Sequence, residues 1–254
     1  MTLRVVITAG ASGIGRATAQ AFLDQGARVA ICDADPDAVA AFADAHPDAM
    51  AVVADVTDEV QMNAFLSWVE ADWGGADIVC ANAGIGGPAG LIEDLDYREW
   101  QRCMSVNVDG AFLVCRWAAR VMRAQQSGLI VLMSSTAGLF GYPFRSPYAT
   151  AKWGIIGLMK TLAMELGGAG VRVNAICPGA VEGDRMDRVV ENEAAARGVS
   201  PAEIRDLYVR GVSLKTWVTH DDVVGMITYL ASDAGRKISG QALAVDGHTE
   251  TLAP

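Results

Sequence analysis

Short apolar runs rich in β-branched residues alternate with stretches of helical periodicity along almost the whole chain, and few architectures accommodate that rhythm. The runs fall at residues 3–9, 28–33, 50–55, 76–81, 128–134, 171–177 and 241–246. Between them, helices are expected over 16–25, over 37–45 behind Pro36, over 57–73, along a long stretch from 96 to 126, up to about 166, and near 221–232. Parallel neighbours need a long crossover, whereas antiparallel ones need only a tight turn, so strand–helix–strand repetition builds a parallel sheet. Runs that are apolar throughout suit strands covered on both faces. The expectation is an α/β fold, a doubly wound parallel sheet of about seven strands with helices on both faces. No linker, internal repeat or low-complexity segment interrupts the 254 residues, so residues 1–254 are read as a single domain.

Residues 182–216 break the rhythm with a charged, helix-prone insertion that follows a strand end, where sheets of this kind bind ligands. A helical lid over a substrate site is the expected role.

Composition narrows the partners. Hydrophobic residues make up 52% of the chain and the mean hydropathy is +0.25, enough for a large core with a surplus to bury between subunits. A formal charge of -10 and a pI near 4.7 oppose nucleic acid and anionic membrane as partners, leaving a small-molecule substrate. The five cysteines, Cys32, Cys80, Cys103, Cys115 and Cys177, are odd in number and form no C-x-x-C pair or Cys/His cluster. Neither a disulfide framework nor a metal site is expected. The chain enters an apolar strand at once, without a signal-type core, and no apolar run reaches the length of a membrane span. A cytoplasmic setting is expected.

Between the first strand and first helix stand Gly10, Ser12, Gly13, Ile14 and Gly15. Glycines there let the backbone approach a pyrophosphate at a helix N-terminus, whose N–H groups and dipole favour anions. Asp33 closes the next strand, eighteen residues after Gly15, where a carboxylate can bond both hydroxyls of an adenosine ribose. It would repel a 2′-phosphate, and Ala34-Asp35 supplies no cation to accept one. NAD is therefore expected over NADP, in a Rossmann-like domain.

Further along, Ser135 precedes Tyr148 by thirteen residues, and Lys152 follows four later. On a helix, i and i+4 share a face. An ammonium beside a phenol favours the phenolate and pulls the tyrosine towards the neutral range that suits proton transfer.

Taken together these residues resemble the classical short-chain dehydrogenase/reductase family over essentially the whole chain. The family's T-G-x-x-x-G-x-G motif corresponds to Thr8 through Gly15, with alanine (Ala9) at its first glycine. Its adenine-contacting pair is similar to Asp55-Val56, and its N-A-G turn to Asn82-Ala83-Gly84. The helix asparagine matches Asn107, the active-site trio Ser135, Tyr148 and Lys152, and the P-G turn Pro178-Gly179, with Val181 beside the nicotinamide. Gly183 stands where many members carry a threonine. The resemblance implies hydride transfer between nicotinamide and a carbinol or carbonyl carbon. Tyr148 would serve as acid–base, Lys152 as cation and ribose ligand, Ser135 as donor to the substrate oxygen, and Asn107 as anchor of a water relay. It also implies a homotetramer.

The expected activity is an NAD-dependent dehydrogenase acting on a secondary alcohol or ketone of a small polar substrate such as a polyol, sugar or hydroxy compound. The alternatives are a 3-oxoacyl thioester reductase and, more remotely, a non-catalytic nucleotide-sensing protein. Tyr142, Phe144, Arg145, Met186, Tyr208 and Trp217 are candidates for the substrate pocket. Arg145, Arg185 and Arg188 raise the idea of an anionic substrate, but charge balance favours their pairing with the chain's surplus carboxylates.

Overall fold

A computed structural model describes residues 2–249. Seven strands run parallel in one sheet ordered β3-β2-β1-β4-β5-β6-β7. They are β1 (Arg4–Thr8), β2 (Arg28–Asp33), β3 (Met50–Val53), β4 (Ile78–Ala81), β5 (Gly128–Met133), β6 (Val171–Pro178) and β7 (Ala242–Val245). The order reverses between β1 and β4, so the crossovers leave these strands towards opposite sides and open a crevice at their C-terminal ends.

Around the sheet lie α1 (Gly13–Asp24), α2 (Pro36–Ala45), α3 (Glu59–Trp73), α4 (Tyr97–Met104), α5 (Gly110–Gln125), α6 (Ser146–Gly167), α7 (Asp184–Arg197), α8 (Pro201–Arg210) and α9 (His220–Ala231). Local chemistry starts several of them. Asp35, Asp58 and Asp96 each accept two backbone N–H bonds at the N-termini of α2, α3 and α4. Ser200 and Thr219 form capping boxes with Glu203 and Asp222.

Successive strand residues face opposite layers. Val6, Ala30, Val79 and Ile130 pack with Phe65, Val114, Trp117 and Met159 from α3, α5 and α6. Val5, Ile7, Ile31 and Val131 pack with Phe22, Phe42, Val223 and Ile227 from α1, α2 and α9. All five cysteines are free and buried; burial pushes the Cys32, Cys80 and Cys115 thiols up to about 12. They behave as small apolar side chains. Among the described residues no helix is long and apolar enough to cross a membrane.

Two expectations shift. The first helix begins at Gly13, three residues before Arg16. The long helix over 96–126 is interrupted: Ser105–Asp109 form a π-helical turn in which the Gly110 N–H donates to Ser105 O. Each flank reads as regular helix on its own, and only a shift of phase between the two apolar faces marks the extra residue.

Candidate active site

The C-terminal edge of the sheet opens into a cavity of about 1030 Å³. One wall begins where β1 ends. Ala9 takes φ +50° and Gly13 φ +51°, turning the chain so that the N-terminus of α1 faces the cavity. Ser12 occupies the N-cap without a side-chain cap bond, leaving first-turn N–H groups for an anion. Ser12, Gly13 and Ile14 line the cavity, whereas Gly10 and Gly15 lie beneath the turn. A Cβ on Gly10 would sit 2.5 Å from Ile31 Cγ2, and one on Gly15 2.0 Å from Ala9 O. Packing leaves no room for a side chain at either glycine.

Asp33 reaches the cavity from the end of β2. Its Oδ2 accepts from the Ala11 N–H at 3.1 Å and its Oδ1 from the Asp35 N–H at 3.3 Å, which fixes the carboxylate while leaving lone pairs for ribose hydroxyls. Asp55 and Val56 line the same wall; the Asp55 carboxylate holds the Thr57 N–H and hydroxyl at 2.9 and 2.8 Å. Ala83 and Gly84 border the cavity too. Asn82 works largely as a buttress, its Nδ2 donating to Thr8 O and Ala9 O, both at 3.1 Å. The Thr8 hydroxyl accepts from the Asn82 and Ala83 N–H groups at 3.1 Å, stitching β1 to β4 at the turn.

The structure brings the expected trio together on the far side. Ser135 follows β5 in extended backbone, with Oγ accepting from the Ala137 N–H at 3.2 Å. Tyr148 and Lys152 stand one turn apart on α6, with Lys152 Nζ 5.5 Å from the tyrosine ring centroid. Lys152 is buried, and its Nζ donates to Met133 O at 2.9 Å. Burial by itself would raise the Tyr148 phenol. Lys152, Arg185, a hydrogen bond from Ser135 and Arg145 outweigh it and hold Tyr148 below its ordinary value. Burial, aided by Arg185, depresses the Lys152 ammonium, and Tyr148 opposes that trend.

Asn107 sits in the π-helical turn behind the trio. Its Nδ2 donates to Cys103 O at 2.9 Å and Ile85 O at 3.0 Å, while its buried Oδ1 has no partner. A Cβ on Gly84 would lie 2.6 Å from that Oδ1 and 3.1 Å from Lys152 Nζ. The bare Gly84 Cα thus leaves a polar niche shared by the asparagine oxygen and the lysine.

Pro178, Gly179 and Val181 line the cavity after β6. Gly183 follows at φ +126°, a conformation that a β-branched residue such as threonine does not adopt. α7 and α8 then fold over the opening around Val190, Ala194 and Ile204. Glu193 on α7 is buried, pairs with Arg197 at 2.7 Å and accepts from the Tyr208 hydroxyl at 2.8 Å and the Tyr142 hydroxyl at 3.3 Å. The Tyr142 and Tyr208 hydroxyls also bond each other. Burial raises both phenols, so they remain protonated.

The pocket expectations need two corrections. Tyr142, Arg145, Met186 and Tyr208 line the cavity, but Phe144 and Trp217 do not; Phe144 stacks on Arg197 and Trp217 on Tyr208 and Arg205. The expected carboxylate pairing of Arg145, Arg185 and Arg188 is also absent: among the described residues none of the ion pairs includes them. Sequence reading placed Thr8 in the glycine motif without the role of its hydroxyl in tying the turn, and it missed Glu193, whose partners lie fifteen and fifty-one residues away. It also missed His220, which lines the cavity between Gly13 and Gly183.

An uncapped helix N-terminus, an acidic residue at the end of β2 and an orphaned asparagine oxygen beside a buried lysine fit a dinucleotide lying across the sheet edge with its nicotinamide towards Tyr148. Comparison with known proteins agrees with the fold and the chemistry. A family model described as enoyl-(acyl carrier protein) reductase matches residues 8–248. The D-β-hydroxybutyrate dehydrogenase of Rhizobium meliloti is 33% identical, over 97% of this chain and 98% of that protein. The 3-oxoacyl-(acyl-carrier-protein) reductase FabG of Thermotoga maritima is 32% identical over 95% of each chain. A solved NAD+-bound xylitol dehydrogenase superimposes with a TM-score of 0.91 at 28% identity, covering 97% of this chain and 98% of that one.

Proposed function

The chain belongs to the classical short-chain dehydrogenase/reductase family, and from that premise we propose that it oxidises the secondary carbinol of a small polar substrate, or reduces the matching ketone, with NAD as hydride carrier. The observation that carries the reading is the convergence of Ser135, Tyr148 and Lys152 on one cavity, with the Tyr148 phenol held low by surrounding cations.

When bound, the nicotinamide supplies an acceptor for the hydride that leaves the carbinol carbon. Tyr148, as phenolate, takes the hydroxyl proton; in reduction the phenol returns it to the carbonyl oxygen. Ser135 donates to the same oxygen, where charge develops. Lys152 directs one N–H to Met133 O and offers the others to the nicotinamide ribose. The free Oδ1 of Asn107 anchors a water that passes the Tyr148 proton outward by way of Lys152. Gly13, the α1 N-terminus and Asp33 would hold the pyrophosphate and adenosine ribose, Asp55 and Val56 the adenine, and Pro178, Gly179 and Val181 the nicotinamide side. The carboxylate of Asp33 supports NAD over NADP. The whole chain acts as one domain, with α7 and α8 as its lid and Gly183 as the hinge. Exposed Phe112 on α5 and Trp153 and Met164 on α6 support helix pairing between subunits of a homotetramer, and the buried free thiols suit a cytoplasmic setting.

Replacement of Tyr148 by Phe abolishes turnover while NAD still quenches tryptophan fluorescence; more than a few per cent of residual turnover refutes the reading. The similarity to FabG keeps a second reading, reduction of a 3-oxoacyl thioester. A preference for NADPH over NADH in steady-state kinetics would favour it. A nucleotide-sensing role without catalysis would require no turnover with any alcohol or ketone.

A further inference from the structure

We propose that the substrate of this site carries an anionic oxygen group, a carboxylate or sulfonate, held by Arg145 with help from Arg185 beside the reacting carbinol. The inference rests on the dehydrogenase reading and names the substrate class within it.

Arg145 is the N-cap residue of α6, and the residue is only 3% exposed. An ion removed from water is strongly unfavourable unless something of opposite charge meets it. Among the described residues no carboxylate lies within ion-pair distance of Arg145. Its Nη2 donates to Gly86 O at 2.9 Å, and its buried Nε has no partner. The guanidinium also lies over the faces of Tyr148 and Tyr142, whose centroids lie 5.3 and 5.6 Å from Cζ. The buried carboxylate of the lid, Glu193, is already committed to Arg197, Tyr142 and Tyr208.

The guanidinium is also held in place. A Cβ on Gly86 would lie 2.8 Å from Nη2, so the backbone after β4 backs the guanidinium closely. It borders the cavity that holds Ser135 and Tyr148. Arg185, on the first turn of α7, enters the same cavity without an ion pair. Planar N–H donors in a fixed fork match a carboxylate or sulfonate and have no counterpart on a polyol. Both arginines also act on Tyr148, so a role limited to tuning the phenol is the rival account, and it must be separated by experiment.

The test compares matched anionic and neutral substrates with NAD: 3-hydroxybutyrate against 3-hydroxybutyramide, and 2-hydroxypropane-1-sulfonate against its sulfonamide. The expected result is a kcat/KM at least roughly tenfold higher for one of the anions than for its neutral partner, as for a hydrogen bond to a charged group. Which pair shows it tells carboxylate from sulfonate. Arg145→Gln should lower that ratio by about 10- to 100-fold, chiefly through KM, and Arg145→Lys should restore part of it. A tuning role would slow both partners equally and leave the ratio unchanged, which overturns the proposal.

Binding gives an independent readout. In the Tyr148→Phe protein loaded with NAD, butyrate or propane-1-sulfonate should bind by calorimetry, and the neutral amides should not. Equal binding of anion and amide overturns the proposal, whichever arginine variant folds. Turnover of neutral alcohols or polyols without any preference for anions defeats this inference and leaves the dehydrogenase reading standing. Absence of NADH formation from every alcohol, anionic or neutral, defeats the dehydrogenase reading itself.

Discussion

Ala9 offers the cleanest quantitative test of the turn that begins the cavity. It takes φ +50° at the point where β1 gives way to the pyrophosphate turn, in the left-handed region that a Cβ disfavours. Among the described residues the other non-glycine residues with positive φ are Gln126, Phe144, Lys215 and His248. Each has a compensating contact: Gln126 Nε2 bonds Arg123 O, Phe144 stacks on Arg197, Lys215 Nζ bonds Arg210 O, and His248 Nδ1 bonds Ser213 Oγ. Ala9 has only a methyl, so replacement by glycine removes strain and almost nothing else. The left-handed conformation costs a non-glycine residue roughly 1–2 kcal/mol. Glycine's greater freedom in the unfolded chain gives back about 0.4–1 kcal/mol of that. Taking the middle of each range, the expected net stabilisation for Ala9→Gly is about 0.8 kcal/mol. For a chain of this size that is a rise in Tm of roughly 1–4 °C, read by thermal unfolding under circular dichroism and checked by a urea midpoint with unchanged slope. NAD affinity should hold or improve, since the carbonyl of residue 9 keeps its bond from Asn82. A Tm that is unchanged or lower refutes the strain argument.

Three other expectations follow from the site. Oxidation should rise with pH along a limb set by Tyr148, whose pKa lies below the ordinary 10 because cations favour the phenolate. Arg185→Gln should move that limb to higher pH, and the reductive direction should respond in the opposite sense. Glu193→Gln removes the buried charge that meets partly buried Arg197; it should cost about 3 kcal/mol, seen as a fall in the urea midpoint, and should loosen α7 and α8 in hydrogen exchange. An unchanged midpoint would show that the Tyr142 and Tyr208 bonds, and not the charge, hold the two helices. Asp33→Ala should weaken NAD and relax discrimination against NADP by roughly 10- to 100-fold, as expected for a hydrogen bond to a charged group; an unaltered NAD/NADP ratio in kcat/KM would remove Asp33 from cofactor selection.

Much of this was legible along the chain, for physical reasons. The runs at β4 and β5 are apolar throughout, which marks strands covered on both faces. Pro36 and Asp58 announce helix starts because each acts on the residues next to it. Tyr148 and Lys152 are neighbours on one helix, so their spacing alone displays the pair. What escaped depended on groups brought together from afar. Glu193 meets Tyr142 only after α7 folds back over the cavity, and Asn82 reaches Ala9 across the sheet. Charge balance suggested partners for Arg145, but counting charges does not reveal that Asp187 is taken by Arg205 and Glu193 by Arg197. The left-handed turn at Ala9 is invisible too, because alanine is a poor advertisement for positive φ.

The π-helical turn at Ser105–Asp109 couples the placement of Asn107 to the packing of α5. It amounts to a single inserted residue, and at 3.6 residues per turn a lone insertion rotates everything downstream by about 100°. The helix before it and α5 after it are therefore written in different helical frames. Excising one residue there would restore regular i to i+4 bonding and would also swing Val114, Ala118 and Val121, now buried against the sheet, towards solvent. Asn107 and the packing of the following sixteen-residue helix are thus inherited as a unit. The extra residue cannot be removed without rewriting the apolar face of α5.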